Sequence, residues 1–177
     1  MKTSKLLLSV LGLICGICAT GPMSAVMIAL HRRLPEDEKY PLPPREITEK
    51  LAHAAAPSQE LAPPTRSLLS WLAHFGYGGA AGAIYANTPL PVAPALRGPL
   101  FGLIVWTTSY FGLLPALGIL SSAKEHPIRR SGLMIAAHLV WGWVMATLLE
   151  TFLSDRKEGE PGFHTSRRVN RDVNGRS

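Results

Sequence analysis

Charge is missing from this sequence in long blocks. Leu6 to Leu30 runs 25 residues with no Asp, Glu, Lys or Arg, and Gly98 to Ala123 runs 26. Ser67 to Leu96 carries only His74 as an ionisable group, and Ser131 to Leu149 carries only His138. Charged residues make up 17% of the chain against 47% apolar ones, a balance that excludes an ordinary soluble domain. Cysteine is nearly absent. Cys15 and Cys18 form a C-x-x-C inside the first apolar run, where the thioredoxin-like context of a redox motif is missing. Both read as small hydrophobes, and neither sits in a lipid-attachment pattern. Catalytic groups are also missing at depth: no carboxylate or nucleophile accompanies either histidine, and Glu150 reads as an end charge near the headgroups. A hydrolytic enzyme is not expected, and a non-enzymatic protein without a metal is the reading.

The four apolar runs are each long enough for a helix that crosses about 30 Å of hydrocarbon. The spacing therefore predicts an all-α, four-helix transmembrane bundle, with spans at about 6–30, 68–86, 98–120 and 131–152. The first run resembles a signal peptide in having Lys2 and Lys5 before Leu6. Its apolar stretch is too long for a signal core, however, and Ile17-Cys18-Ala19 is a poor cleavage site, so an uncleaved helix is expected.

A soluble connection covers 31–67. Prolines at 35, 41, 43 and 44 break the first helix. Pro44 then stands where a helix accepts its first residue, and Ile47, Leu51 and Ala54 follow at helical spacing, which predicts a short interfacial helix on the bilayer. Residues 154–177 form a polar, basic tail expected to be disordered. The net charge of +6 is assigned to topology and to anionic lipid at the basic flanks, so no nucleic-acid partner is expected. The expected partners are the lipid bilayer and a second copy or another membrane protein. With four spans, nine basic residues fall on each side, and the positive-inside rule gives no orientation.

The second span is rich in small residues. Gly78 with Gly82, and Gly79 with Ala83, make small-xxx-small steps that let helix backbones approach, which places this helix centrally in the bundle. The third holds Trp106-Thr107-Thr108-Ser109-Tyr110, read mainly as hydrogen-bonding glue between helices, and a kink is expected at Pro115.

A pattern A-H-x-x-aromatic-G occurs twice, as His74, Tyr77 and Gly78 and as His138, Trp141 and Gly142. Spans two and four run in the same direction, and each histidine lies about seven residues into its span, so matching depth is expected. A duplicated hairpin would explain the pair. Ionisable groups at membrane depth raise a functional-site hypothesis. The candidate intramembrane polar site is His74, Tyr77, His138 and Trp141, with Thr107, Thr108, Ser109 and Tyr110 facing it; Gly78, Gly79, Gly82, Ala83 and Gly142 are the packing residues. Three readings stand: a structural pin between helices, a polar site for a proton or small solute, and bis-histidine ligation of haem b in a membrane redox module. His31, His53, His126 and His164 fall in polar segments and read as surface residues.

Several blocks together resemble a family of small bacterial multi-pass inner-membrane proteins related to YagU. They are Gly16–Ser24, Leu34–Thr48, His74–Tyr85, Trp106–Pro115 and His126 through Gly142. The resemblance implies a location in the bacterial inner membrane and no assigned reaction, and it carries over no catalytic residue. Function is accordingly read as interaction, or passage of a small solute or proton, through a histidine-containing bundle.

Overall fold

The computed structural model describes residues 4–39, 45, 47, 48, 50, 53, 62–116 and 127–158. Among them there are four long helices and no strand: α1 (Lys5–His31), α2 (Pro63–Asn87), α3 (Pro94–Ala116) and α4 (Ile128–Glu158). A 3-10 turn at Glu36–Glu38 follows α1. The helix starts follow from local chemistry. The Ser4 hydroxyl accepts from the Leu7 N–H at 3.2 Å and caps α1. Pro63 and Pro64 open α2 and Pro94 opens α3, in the first turn where no N–H is needed.

Three helices, α1, α3 and α4, are long and apolar enough to cross a membrane. α2 falls short by composition, because glycine, alanine, serine and histidine take the places of leucine and valine. Its outward face is nevertheless apolar, with Leu68, Trp71, Leu72 and Ile84 exposed. Exposed apolar side chains continue on the other helices at Val10, Leu13, Leu100, Ile104, Leu139 and Trp143. A belt of this kind is foreign to a water-facing monomer and suited to lipid.

The helices outrun the expected spans. α2 begins five residues before 68, α3 four before 98, and α4 runs from Ile128 to Glu158, so residues 154–158, expected in the tail, are helical. Residues 117–126 and 159–177 lie outside the described ones, as does most of the expected interfacial helix. In the described part of that connection Thr48 is buried and Ile47 packs against the core.

Glycine decides how the bundle closes. α1 packs antiparallel along α2, with Gly12 against Gly82 and Gly16 against Gly78. α3 packs antiparallel along α4, with Gly98 against Gly142 and Gly102 against the His138 backbone. A Cβ at Gly12, Gly16, Gly98 or Gly102 would strike a carbonyl of the facing helix. Such backbone approach substitutes for the hydrophobic driving force that lipid removes. α1 also packs along α4, while no comparable backbone approach joins α2 to α3 among the described residues. The order around the bundle is therefore α2, α1, α4, α3, with a looser seam between the ends, so α2, expected at the centre, stands at one end because its small-residue face is used on α1 alone.

Ahead of Pro115, where a kink is expected, the helix takes a π turn over Ser109–Leu113, in which the Leu114 N–H reaches back five residues to the Ser109 carbonyl. Pro115 has no N–H and its ring crowds the carbonyl four residues earlier, so widening of the preceding turn is the local solution.

Candidate functional site

Between the four helices lies a cavity of about 300 Å³. It occupies the half of the bundle toward the end of α1, where helices joined at the glycine crossings have diverged. α1 contributes Thr20, Met23 and Met27; α2 contributes His74, Tyr77 and Ala81; α3 contributes Val105, Ser109 and Tyr110; α4 contributes Met134, His138 and Trp141. Ile47 from the connection also reaches it.

Six of the eight expected polar-site residues meet here: His74, Tyr77, His138, Trp141, Ser109 and Tyr110. Thr107 and Thr108 do not. Both are exposed on the outside of α3, and the Thr108 hydroxyl donates to its own helix at the Ile104 carbonyl, 2.8 Å away. The run was read as one polar patch, but a helix turns about 100° per residue, so neighbours in sequence leave on different sides. Replacing Thr107 and Thr108 together by valine is expected to change the melting temperature of the detergent-extracted protein little, within about 0.5 kcal/mol. Loss comparable to a buried change would show that they face the cavity.

The polar atoms of the site have distinct states. His138 is buried, and its Nδ1 lies 2.8 Å from the Met134 carbonyl one turn back. A carbonyl only accepts, so Nδ1 carries the proton and a neutral ring is left with Nε2 as an acceptor. The Nε2 of His74 is buried with no hydrogen-bond partner among the described residues. The two rings line one cavity. The Tyr77 hydroxyl and Ser109 Oγ are 2.8 Å apart and bridge α2 to α3. On the opposite seam the Trp141 indole N–H donates to the Gly16 carbonyl at 3.2 Å, tying α4 to α1.

Of the packing residues, Gly78, Gly82 and Gly142 lie at the backbone crossings, Gly79 packs on the Ile17 side chain, and Ala83 is half-buried. Their partners went unread, although Gly12-x-x-x-Gly16 and Gly98-x-x-x-Gly102 carry the same signal in the sequence. Methionine gave no signal at all, yet Met23, Met27 and Met134 line the cavity. Unbranched thioether side chains fill irregular space and re-pack around a guest.

The repeat has a different register in space. Gly12 meets Gly82 and the Ala86 methyl, just as Gly98 meets Gly142 and the Ala146 methyl. Gly16 meets Gly78 as Gly102 meets His138. Matching the hairpins by these contacts puts His138 in the place of Gly78, and Met134 in the place of His74. The histidines stand at similar distances from their helix starts, twelfth in α2 and eleventh in α4, but they are not copies of one position. In the same matching Trp141 corresponds to Ala81. Trp141 reaches across to α1; Ala81 is too small to reach α3. That difference leaves α2 and α3 apart and gives the cavity its room.

The chain matches no protein-family model, no curated protein and no solved structure. Its class therefore rests on the fold: an all-helical protein with membrane-type helices around an internal cavity.

Proposed function

We propose that all four helices cross the bilayer, in line with the inner-membrane location implied by the family resemblance. The bundle then acts as a non-enzymatic binding protein for a small, largely apolar molecule with a hydrogen-bonding group. The observation that carries this reading is the cavity itself, with an acceptor Nε2 on His138 and an unpartnered Nε2 on His74 against an otherwise apolar wall. A concave apolar site with few convergent polar groups is the usual form of a small-molecule site. Binding is favoured over passage of a proton or solute, because on one side of the cavity the helices of each hairpin are in backbone contact, at Gly12 and Gly82 and at Gly98 and Gly142.

Phenol is a suitable probe, since it offers one donor on an apolar ring. Saturating phenol, at about one hundred times its dissociation constant, is expected to stabilise the purified protein by about 2.7 kcal/mol. Ala81→Phe, which fills the cavity from α2, should abolish the shift. Absence of any saturable shift in the wild type would sink the reading.

Haem is the second reading. It draws on the His138 Nδ1 bond to a backbone carbonyl, the arrangement that orients metal-ligating imidazoles. Gently extracted protein would then show a Soret band that His74→Gln and His138→Gln each remove, and a featureless visible spectrum discards it.

A further inference from the structure

The cavity has a mouth, and its position says where a ligand comes from. α1 and α4 give the cavity only buried residues. Three lining residues are also exposed on the outer surface: Ala73 and Tyr77 on α2, and Leu113 on α3. All three belong to the loose α2–α3 seam. Ala73 and Tyr77 flank residue 75, the midpoint of Pro63–Asn87, so in a spanning bundle the opening faces the hydrocarbon core and neither aqueous surface. Around it the outer surface is apolar, with Trp71, Leu72 and Phe111 exposed. The hydrogen bond between Tyr77 and Ser109 crosses the opening, while Tyr77 remains 46% exposed. On the side toward the long connection the wall includes the apolar side chain of Ile47.

Resting on the binding reading above, we propose that the cavity receives the head of a membrane-dissolved amphiphile, a phenol or alcohol on an apolar tail. The molecule slides in sideways between α2 and α3, and Tyr77 is the gate. Size supports a head with its tail left outside, because about 300 Å³ is at the lower end for a ligand site. Charge supports a neutral head. No Asp, Glu, Lys or Arg is among the described lining residues, so against them a buried ionic group would be uncompensated. A hydroxyl donor meets the bare Nε2 of His138, and the same oxygen or a second hydroxyl can serve the unpartnered Nε2 of His74. The Tyr77 hydroxyl leaves Ser109 as the seam parts and returns to it once the head has passed.

The test uses the full-length chain in lipid nanodiscs with three probes: 4-nonylphenol, nonylbenzene and phenol. Calorimetry reads affinity, and tryptophan fluorescence, reporting on Trp141 in the wall, reads the rate. Nonylphenol is expected to bind saturably and at least about tenfold more tightly than nonylbenzene, the difference that one hydrogen bond to a buried acceptor makes. Tyr77→Phe is expected to speed nonylphenol association about 2- to 10-fold, the factor for one lost hydrogen bond. Ser109→Ala removes the same bond from the other helix and should do likewise.

Phenol separates the two levels of the argument. If phenol binds and nonylphenol does not, the sideways route is overturned while the binding cavity stands. If none of the three binds, the binding reading itself falls, and this proposal with it. Equal affinity for nonylphenol and nonylbenzene would overturn recognition of the head. An unchanged rate in both Tyr77→Phe and Ser109→Ala would overturn the gate.

Discussion

Gly82→Leu is expected to abolish the folded protein, while Gly76→Leu, six residues earlier on the same helix, is expected to leave it intact. A Cβ at Gly82 falls onto the Gly12 carbonyl oxygen and lies 2.9 Å from the Gly16 Cα. Those are backbone atoms, and no rotamer change relieves the clash. Overpacking ordinarily costs about 1–3 kcal/mol because neighbouring side chains give way. Here α1 and α2 must part as a unit, and the Gly16–Gly78 approach one turn away is lost with them, so the cost belongs above that range. At Gly76 a Cβ meets nothing within 4 Å, and the residue faces outward. Replacing glycine within a helix there removes an entropic cost of about 0.5–1 kcal/mol.

The measurement is size-exclusion chromatography and thermal unfolding of the detergent-extracted variants. Because the second hairpin has the same crossing, Gly142→Leu should fail as Gly82→Leu does: its Cβ falls onto the Gly98 carbonyl. A monodisperse Gly82→Leu protein melting near the wild-type temperature would show that the helices are not held by backbone approach.

How far the sequence discloses this arrangement depends on the kind of contact. Membrane helices are legible because lipid imposes one requirement, apolarity sustained over about 20 residues, on every span. The crossings are half legible: the glycines of α2 stand out in a small-residue run, whereas Gly12, Gly16, Gly98 and Gly102 sit singly among larger residues. Their spacing of four is the signal. The A-H-x-x-aromatic-G repeat draws the eye to the correct cavity but pairs the wrong positions. Tyr77 is half-exposed and Trp141 is 2% exposed, so the same six-residue pattern presents different faces in α2 and α4. Residue type recurs there without equivalence of environment. The cavity was illegible for a further reason. It comes from a difference between hairpins, tryptophan at 141 against alanine at 81, and that comparison requires a register only the interhelical contacts supply.

Trp141→Ala should therefore have the largest effect of any change to the cavity wall. The side chain is among the largest fully buried ones, its ring lies 6.3 Å from that of Phe101, and its indole N–H holds the Gly16 carbonyl. Truncation of a buried tryptophan costs about 3–5 kcal/mol. The lost hydrogen bond is a smaller part of this, since the Gly16 carbonyl keeps the Thr20 hydroxyl at 2.8 Å and is not orphaned. The main loss is contact between α4 and α1, the closest-packed seam between the two hairpins. With that seam loosened the space left by the ring joins the existing cavity, and a free aromatic molecule can occupy it. Indole at about one hundred times its dissociation constant is then expected to restore about 2.7 kcal/mol. Trp143 is the control. It is two residues away, 59% exposed on the outer face, and Trp143→Ala should change stability by no more than about 0.5 kcal/mol. Thermal unfolding of both variants with and without indole checks the argument. Equal losses at 141 and 143, or a Trp141→Ala protein indifferent to indole, would mean that the two hairpins are not joined through this ring.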